Sequence, residues 1–122
     1  MPLKKEFMDN RTKAWLYEIL NSIHEINSYF DENQKTLSHL SSNIAVKRAV
    51  ERNLETLGDS LAKLISYMPG LKISNVERLI DICRRIKQGN DTVSDYILWD
   101  VIRHYLPTLY EEIHLMIIQR TE

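Results

Sequence analysis

The sequence predicts an all-α fold: an antiparallel four-helix bundle forming one domain over residues 1–122. Two observations carry that prediction. Apolar residues recur at steps of three and four through four long segments, the spacing of one face of a helix. The chain also has only three Gly and three Pro, too few for the turns of a sheet protein of this size. Four amphipathic helices joined by short links bury their stripes against one another. The apolar fraction, 43%, suffices for one core. No internal repeat, low-complexity stretch or linker interrupts the chain.

The first helix is expected from about Lys4 to Phe30, with Met8, Trp15, Leu16, Ile19, Ile23, Ile26 and Phe30 as its stripe. The polar run Asp31-Glu32-Asn33-Gln34 closes it, and Thr36 to Leu40 reads as a short helical turn. The second helix is expected from near Ser42 to about Met68. Val50, Leu54, Leu57, Leu61, Leu64 and Met68 form a heptad seam there, the strongest periodic signal in the chain. Gly58 lies inside that seam at a cost of about 1 kcal/mol of helix propensity against Ala. Close approach of a neighbouring helix is the expected return, and Pro69-Gly70 ends the segment.

The third helix opens with Ser74-Asn75-Val76-Glu77, a serine followed three residues later by glutamate, which predicts a capping box. Its stripe is Val76, Leu79, Ile80, Cys83 and Ile86, and Gly89 or Asn90 is the expected left-handed stop. Thr92 or Ser94 can cap the fourth helix, with Asp95 favourable at its positive end. Ile97, Leu98, Val101, Ile102, Leu106, Leu109, Ile113, Met116 and Ile117 line its buried side. Pro107 removes one backbone donor in mid-segment and should kink or restart the helix.

The charge is balanced, with 16 basic and 17 acidic residues and a net charge of -1. No global excess points to nucleic acid or a membrane. Two local basic clusters stand out: Lys47, Arg48 and Arg52 near the start of the second helix, and Arg84, Arg85 and Lys87 late in the third. Brought together they could hold phosphates. The alternative is a solvated face balanced by Glu51, Glu55 and Asp59. The single cysteine, Cys83, excludes an intramolecular disulfide and suits a reducing compartment. It falls on the apolar stripe, which favours an inert core thiol over a nucleophile. The N-terminal residues lack the apolar stretch of a signal peptide. No apolar run approaches the ~20 residues of a membrane span. A cytoplasmic location is therefore expected.

The four histidines, His24, His39, His104 and His114, have no metal-like spacing, so no metal site and no cofactor is expected. Trp15, Trp99 and the tyrosines could stack bases, but single aromatics on amphipathic helices more often pack in a core or interface. There is no glycine-rich phosphate loop, paired-carboxylate motif or nucleophile elbow.

Two stretches resemble a known family. One is Ala49-Val50-Glu51-Arg52-Asn53-Leu54-Glu55-Thr56-Leu57-Gly58-Asp59-Ser60; the other is Tyr96-Ile97-Leu98-Trp99-Asp100-Val101-Ile102 followed by Leu106-Pro107-Thr108-Leu109. In their order and spacing, over about Ser38 to Ile113, these are similar to the HepT-like branch of the HEPN domains. The resemblance implies a helical bundle that pairs as a homodimer. It implies a metal-independent RNA-cleaving motif at the end of the third helix: arginine, four to six residues, histidine, and often a tyrosine two residues later. It also implies a nucleotidyltransferase-type partner, as in a toxin–antitoxin pair, that silences activity by modifying that tyrosine.

Aligned on that motif, Cys83 stands at the arginine, Gln88 at the histidine and Asn90 at the tyrosine. No arginine in the chain is followed by a histidine at the required spacing. Glutamine does not exchange protons near neutral pH, and asparagine has no phenol to modify. The chain thus reads as a non-catalytic HepT-like protein that binds a nucleotidyltransferase-type partner or RNA. A divergent endoribonuclease using Arg84 or Arg85, and a structural helical dimer without ligand, are the alternatives.

Overall fold

A computed structural model describes residues 9–32, 35–89 and 93–121, the side chains of the last two of these excepted. Among them every regular element is helical, and there is no strand. Helix α1 runs over Asn10–Ser28. The expected start near Lys4, with Met8 on the stripe, lies outside the described residues. Asp9 caps α1: its Oδ1 accepts the Thr12 N–H at 2.8 Å. Its Oδ2 accepts the Tyr67 hydroxyl at 2.7 Å. The Thr12 amide first, and then the Tyr67 hydroxyl, hold the Asp9 carboxyl down at about 2. The helix stops short of Phe30, which is buried. Phe30 packs its ring against His39 and Trp99.

The short helix α2, Leu37–Ser42, is capped by Thr36. Asn43 then ends α2 and begins α3, Ile44–Tyr67, by accepting the Val46 N–H. The heptad seam is the core of the molecule: Val50, Leu54, Leu57, Leu61 and Leu64 are fully buried. Helix α3 packs on both α1 and α4.

Helix α4 spans Val76–Lys87. The expected capping box does not form, because Asn75 rather than Ser74 occupies the N-cap, at φ 60°, with no side-chain cap. Ser74 instead donates its hydroxyl to Glu112 Oε2 at 2.6 Å and its N–H to Oε1 at 3.0 Å. A carboxylate on a neighbouring helix has outcompeted the local partner. At the other end Gly89 takes φ 73°, the left-handed stop. Asn90 and Thr92, the alternatives for stop and cap, lie outside the described residues.

Ser94 caps α5, Asp95–Asp100, accepting the Ile97 N–H at 3.2 Å. A π-helical turn, Val101–Tyr105, joins α5 directly to α6, Leu106–Thr121. Pro107 therefore falls just after the π turn, so its missing donor lies where the helical hydrogen-bond register changes and not inside a regular α-helix. The wider π turn reseats the chain so that Leu98, Ile102, Leu106, Leu109 and Ile113 all stay buried. Helix α6 packs on α1. Among the described residues, no helix is long and apolar enough to cross a membrane.

Candidate functional site

Cys83 and Gly58 meet on the seam between α3 and α4, and four of the six basic residues, Lys47, Arg48, Arg84 and Lys87, line grooves beside it. Gly58 and Cys83 meet there so closely that a Cβ on Gly58 would overlap the Cβ of Cys83 and stand 3.0 Å from its sulfur. This is the close approach that a glycine in a heptad seam anticipates. The Cys83 side chain is buried. Burial first, and then the nearby carboxylates of Asp59 and Glu55, push its thiol up to about 12. A thiol in that state neither attacks as thiolate nor grips a phosphate.

Two adjoining grooves flank this contact. One, of about 290 Å³, lies towards the start of α3 and is lined by Lys47, Arg48, Glu51 and Glu55, with Ile86 and Gly89 opposite. The other, of about 170 Å³, has Gly58, Ala62, Ile80 and Cys83 as its apolar floor, and Glu55, Asp59, Arg84 and Lys87 at its rim. Glu55 borders both. The fold thus brings Lys47 and Arg48 of one cluster and Arg84 and Lys87 of the other into neighbouring grooves, with carboxylates between them.

Three of the six basic residues are engaged with acids. Lys47 Nζ lies 2.7 Å from Asp95 Oδ1, and this ammonium draws the Asp95 carboxyl below its ordinary value. Lys87 Nζ lies 3.1 Å from Asp59 Oδ1, across the seam. Arg85 pairs with Asp81 at 3.2 Å, one turn back on α4 and away from both grooves. Arg48, Arg52 and Arg84 are exposed and have no ion pair among the described residues. Arg52 lines neither groove. Gln88 is the exposed C-cap of α4, and its N–H donates to the Arg84 carbonyl at 3.0 Å. Asn90, the remaining degenerate position, lies outside the described residues.

The histidines sit elsewhere. His104 pairs with Asp100 at 2.8 Å on the exposed side of the π turn. His24 meets Tyr110 edge-on, and His114 stacks on the same ring. The tryptophans pack within the molecule: Trp15 against Tyr67, and Trp99 against Phe30 with the Arg103 guanidinium over its ring.

Sequence patterns did not reveal the polar contacts of the α1–α3 seam. Buried Asn53 donates to Glu25 at 2.6 Å and accepts the Tyr29 hydroxyl at 2.5 Å. Buried Ser60 donates to Glu18. The available signal was two polar residues, Asn53 and Ser60, next to the heptad seam. The two most exposed large apolar side chains, Tyr96 at 74% and Ile44 at 64%, also went unremarked in the periodicity. They open α5 and α3, the two helices tied by Lys47 and Asp95.

No protein-family model, curated protein or solved structure matches this chain.

Proposed function

We propose that this chain is a non-catalytic, HepT-like HEPN protein that works by binding a nucleotidyltransferase-type protein. In this reading α1, α3, α4 and the α5–α6 rod are the four legs of an antiparallel bundle, and the chain pairs with a second copy. The observation that carries the proposal is the chemistry at the end of α4. A buried thiol held at about 12 occupies the place of the phosphate-gripping arginine. A glutamine occupies the place of the proton-exchanging histidine. Without those two groups the segment can bind but has no proton shuttle.

A protein partner fits this surface better than RNA. Lys47, Arg85 and Lys87 already face carboxylates. Arg48 and Arg84 share their grooves with Glu51, Glu55 and Asp59. Phosphate binding draws on a surface of one sign, whereas protein interfaces use interleaved charge. The exposed residues at the end of α4, Arg84, Arg85, Lys87 and Gln88, form the contact region in this reading.

Affinity capture tests this. Wild-type chain should retain a nucleotidyltransferase-type protein, and an Arg84→Glu/Arg85→Glu variant of unchanged helicity should lose it. Capture of RNA alone by the wild type, reduced in that variant, would replace the protein partner with RNA.

A further inference from the structure

A pocket of about 360 Å³ opens between α1 and α6, lined by no residue of α3 or α4. Steps of four place its residues: Ile23 and Asn27 on α1, Leu106 and Tyr110 on α6, with Pro107 and Glu111 beside them. Ile23 and Leu106 are buried and form, with the Pro107 ring, an apolar floor. The Tyr110 and His24 rings stand beside it as a wall. Their centroids are 5.3 Å apart and their planes nearly perpendicular, at 85°. The Tyr110 hydroxyl and His24 Nε2 approach to 3.4 Å. His114 is not part of the lining and stacks on Tyr110, with centroids 5.9 Å apart and planes at 19°. The Tyr110 ring is thus held by two neighbours before any ligand arrives. The pocket also begins where the π turn ends, at Leu106, and π turns inside helices recur at functional sites.

Two charges at the rim decide what fits. Lys35, in the link between α1 and α2, and Glu111, on α6, are both exposed and line this same pocket. Neither has an ion pair among the described residues, with the other or with any third group. A lone anion in the pocket would meet Glu111, and a lone cation would meet Lys35. An uncharged apolar molecule would cover the floor and draw on neither charge. A small zwitterion draws on both, its ammonium on Glu111 and its carboxylate on Lys35, each through a charge-assisted hydrogen bond. Asn27, at the same rim, can donate to the carboxylate or accept from the ammonium. The rest of such a molecule must cover an apolar floor beside two rings, which suits an aromatic side chain. We infer that this pocket binds a free α-amino acid with an aromatic side chain.

None of these residues belongs to the α4 contact region, so this site and the partner reading can fail separately. Amide-resolved NMR titration of the full chain with L-phenylalanine is the test. Its Kd should be on the order of 1 mM or tighter, as suits a ligand of about a dozen non-hydrogen atoms. Shifts should concentrate on residues 23–27 and 106–111. Phenethylamine, which lacks the carboxylate, and phenylpropionate, which lacks the ammonium, should each bind wild type about ten-fold more weakly or worse. Lys35→Gln should bring phenylalanine and phenethylamine to equal affinity, because the group that tells them apart is gone. Glu111→Gln should do the same for phenylalanine and phenylpropionate. Both positions are exposed, and circular dichroism should report unchanged helicity in both variants. Absence of shifts at the pocket at ten times that concentration overturns the proposal. So does an analogue that binds wild type as tightly as phenylalanine, or a variant that keeps the wild-type preference.

Discussion

Helix α3 makes two seams of opposite construction. Against α1 it uses polar side chains: Asn53 bridges Glu25 and Tyr29, and Ser60 reaches Glu18. Against α4 it uses proximity: Gly58 lets Cys83 sit on the α3 backbone, and Lys87 bonds Asp59 at the rim of the seam. Directional bonds fix the sliding register of α1, because a one-residue shift leaves buried polar groups unpaired. A tight apolar contact fixes only distance. The α3–α4 seam is therefore closed at its floor and open at its mouth, where Arg48, Glu51, Glu55 and Arg84 have no ion pair among the described residues. Under the proposed function, the binding surface lies along this seam rather than along the one with α1.

Substitutions can break each seam separately. The largest effect should come from Gly58→Ala. The added methyl overlaps the Cys83 Cβ, so α4 must shift, at a cost of about 2–3 kcal/mol for overpacking even after the ~1 kcal/mol gain in helix propensity. Urea unfolding should report it, and a variant as stable as wild type would remove the close approach from the account. Pairing Gly58→Ala with Cys83→Gly should recover part of the loss.

Next comes Asn53→Ala, which strips the partners from Glu25 and Tyr29 and should cost about 1–3 kcal/mol. Unlike Gly58→Ala, it should loosen α1, read as faster amide exchange along α1 than along α4.

A smaller, pH-dependent effect belongs to the α1 cap. The folded-state value of Asp9 is lowered from the ordinary 3.8 to about 2. The carboxylate form is favoured by folding, so its contribution is present above about pH 4 and is lost as pH falls through about 2. In Tyr67→Phe, which keeps the Thr12 amide but removes the hydroxyl, stability should fall less steeply with acid than in wild type. Equal slopes would show that the Tyr67 hydroxyl does not act on the cap.

The smallest effect should be that of Lys87→Ala. Its pair with Asp59 is about half exposed on both sides, and such pairs contribute under about 1 kcal/mol.

Much of this frame was legible in the sequence. The seam from Val50 to Leu64, the glycine that admits Cys83, the Gly89 stop and the Ser94 cap all follow from local periodicity and backbone chemistry. What local rules missed were long-range partners. Ser74 was expected to cap α4 but meets Glu112, 38 residues away. Pro107 announced a break, but only packing on both sides of it decides that the break is a π turn. The site was legible as residue types and not as an arrangement. Both basic clusters were visible, yet the acids that engage Lys47 and Lys87, Asp95 and Asp59, come from other helices.

Whether the basic end of α4 cleaves RNA is decided by a direct assay. Wild-type chain and an Arg84→Ala/Arg85→Ala variant would be incubated with total tRNA and messenger RNA, without added metal. The RNA should stay intact with both. Cleavage by the wild type that disappears in the variant would contradict the non-catalytic reading and make the basic end of α4 an active site.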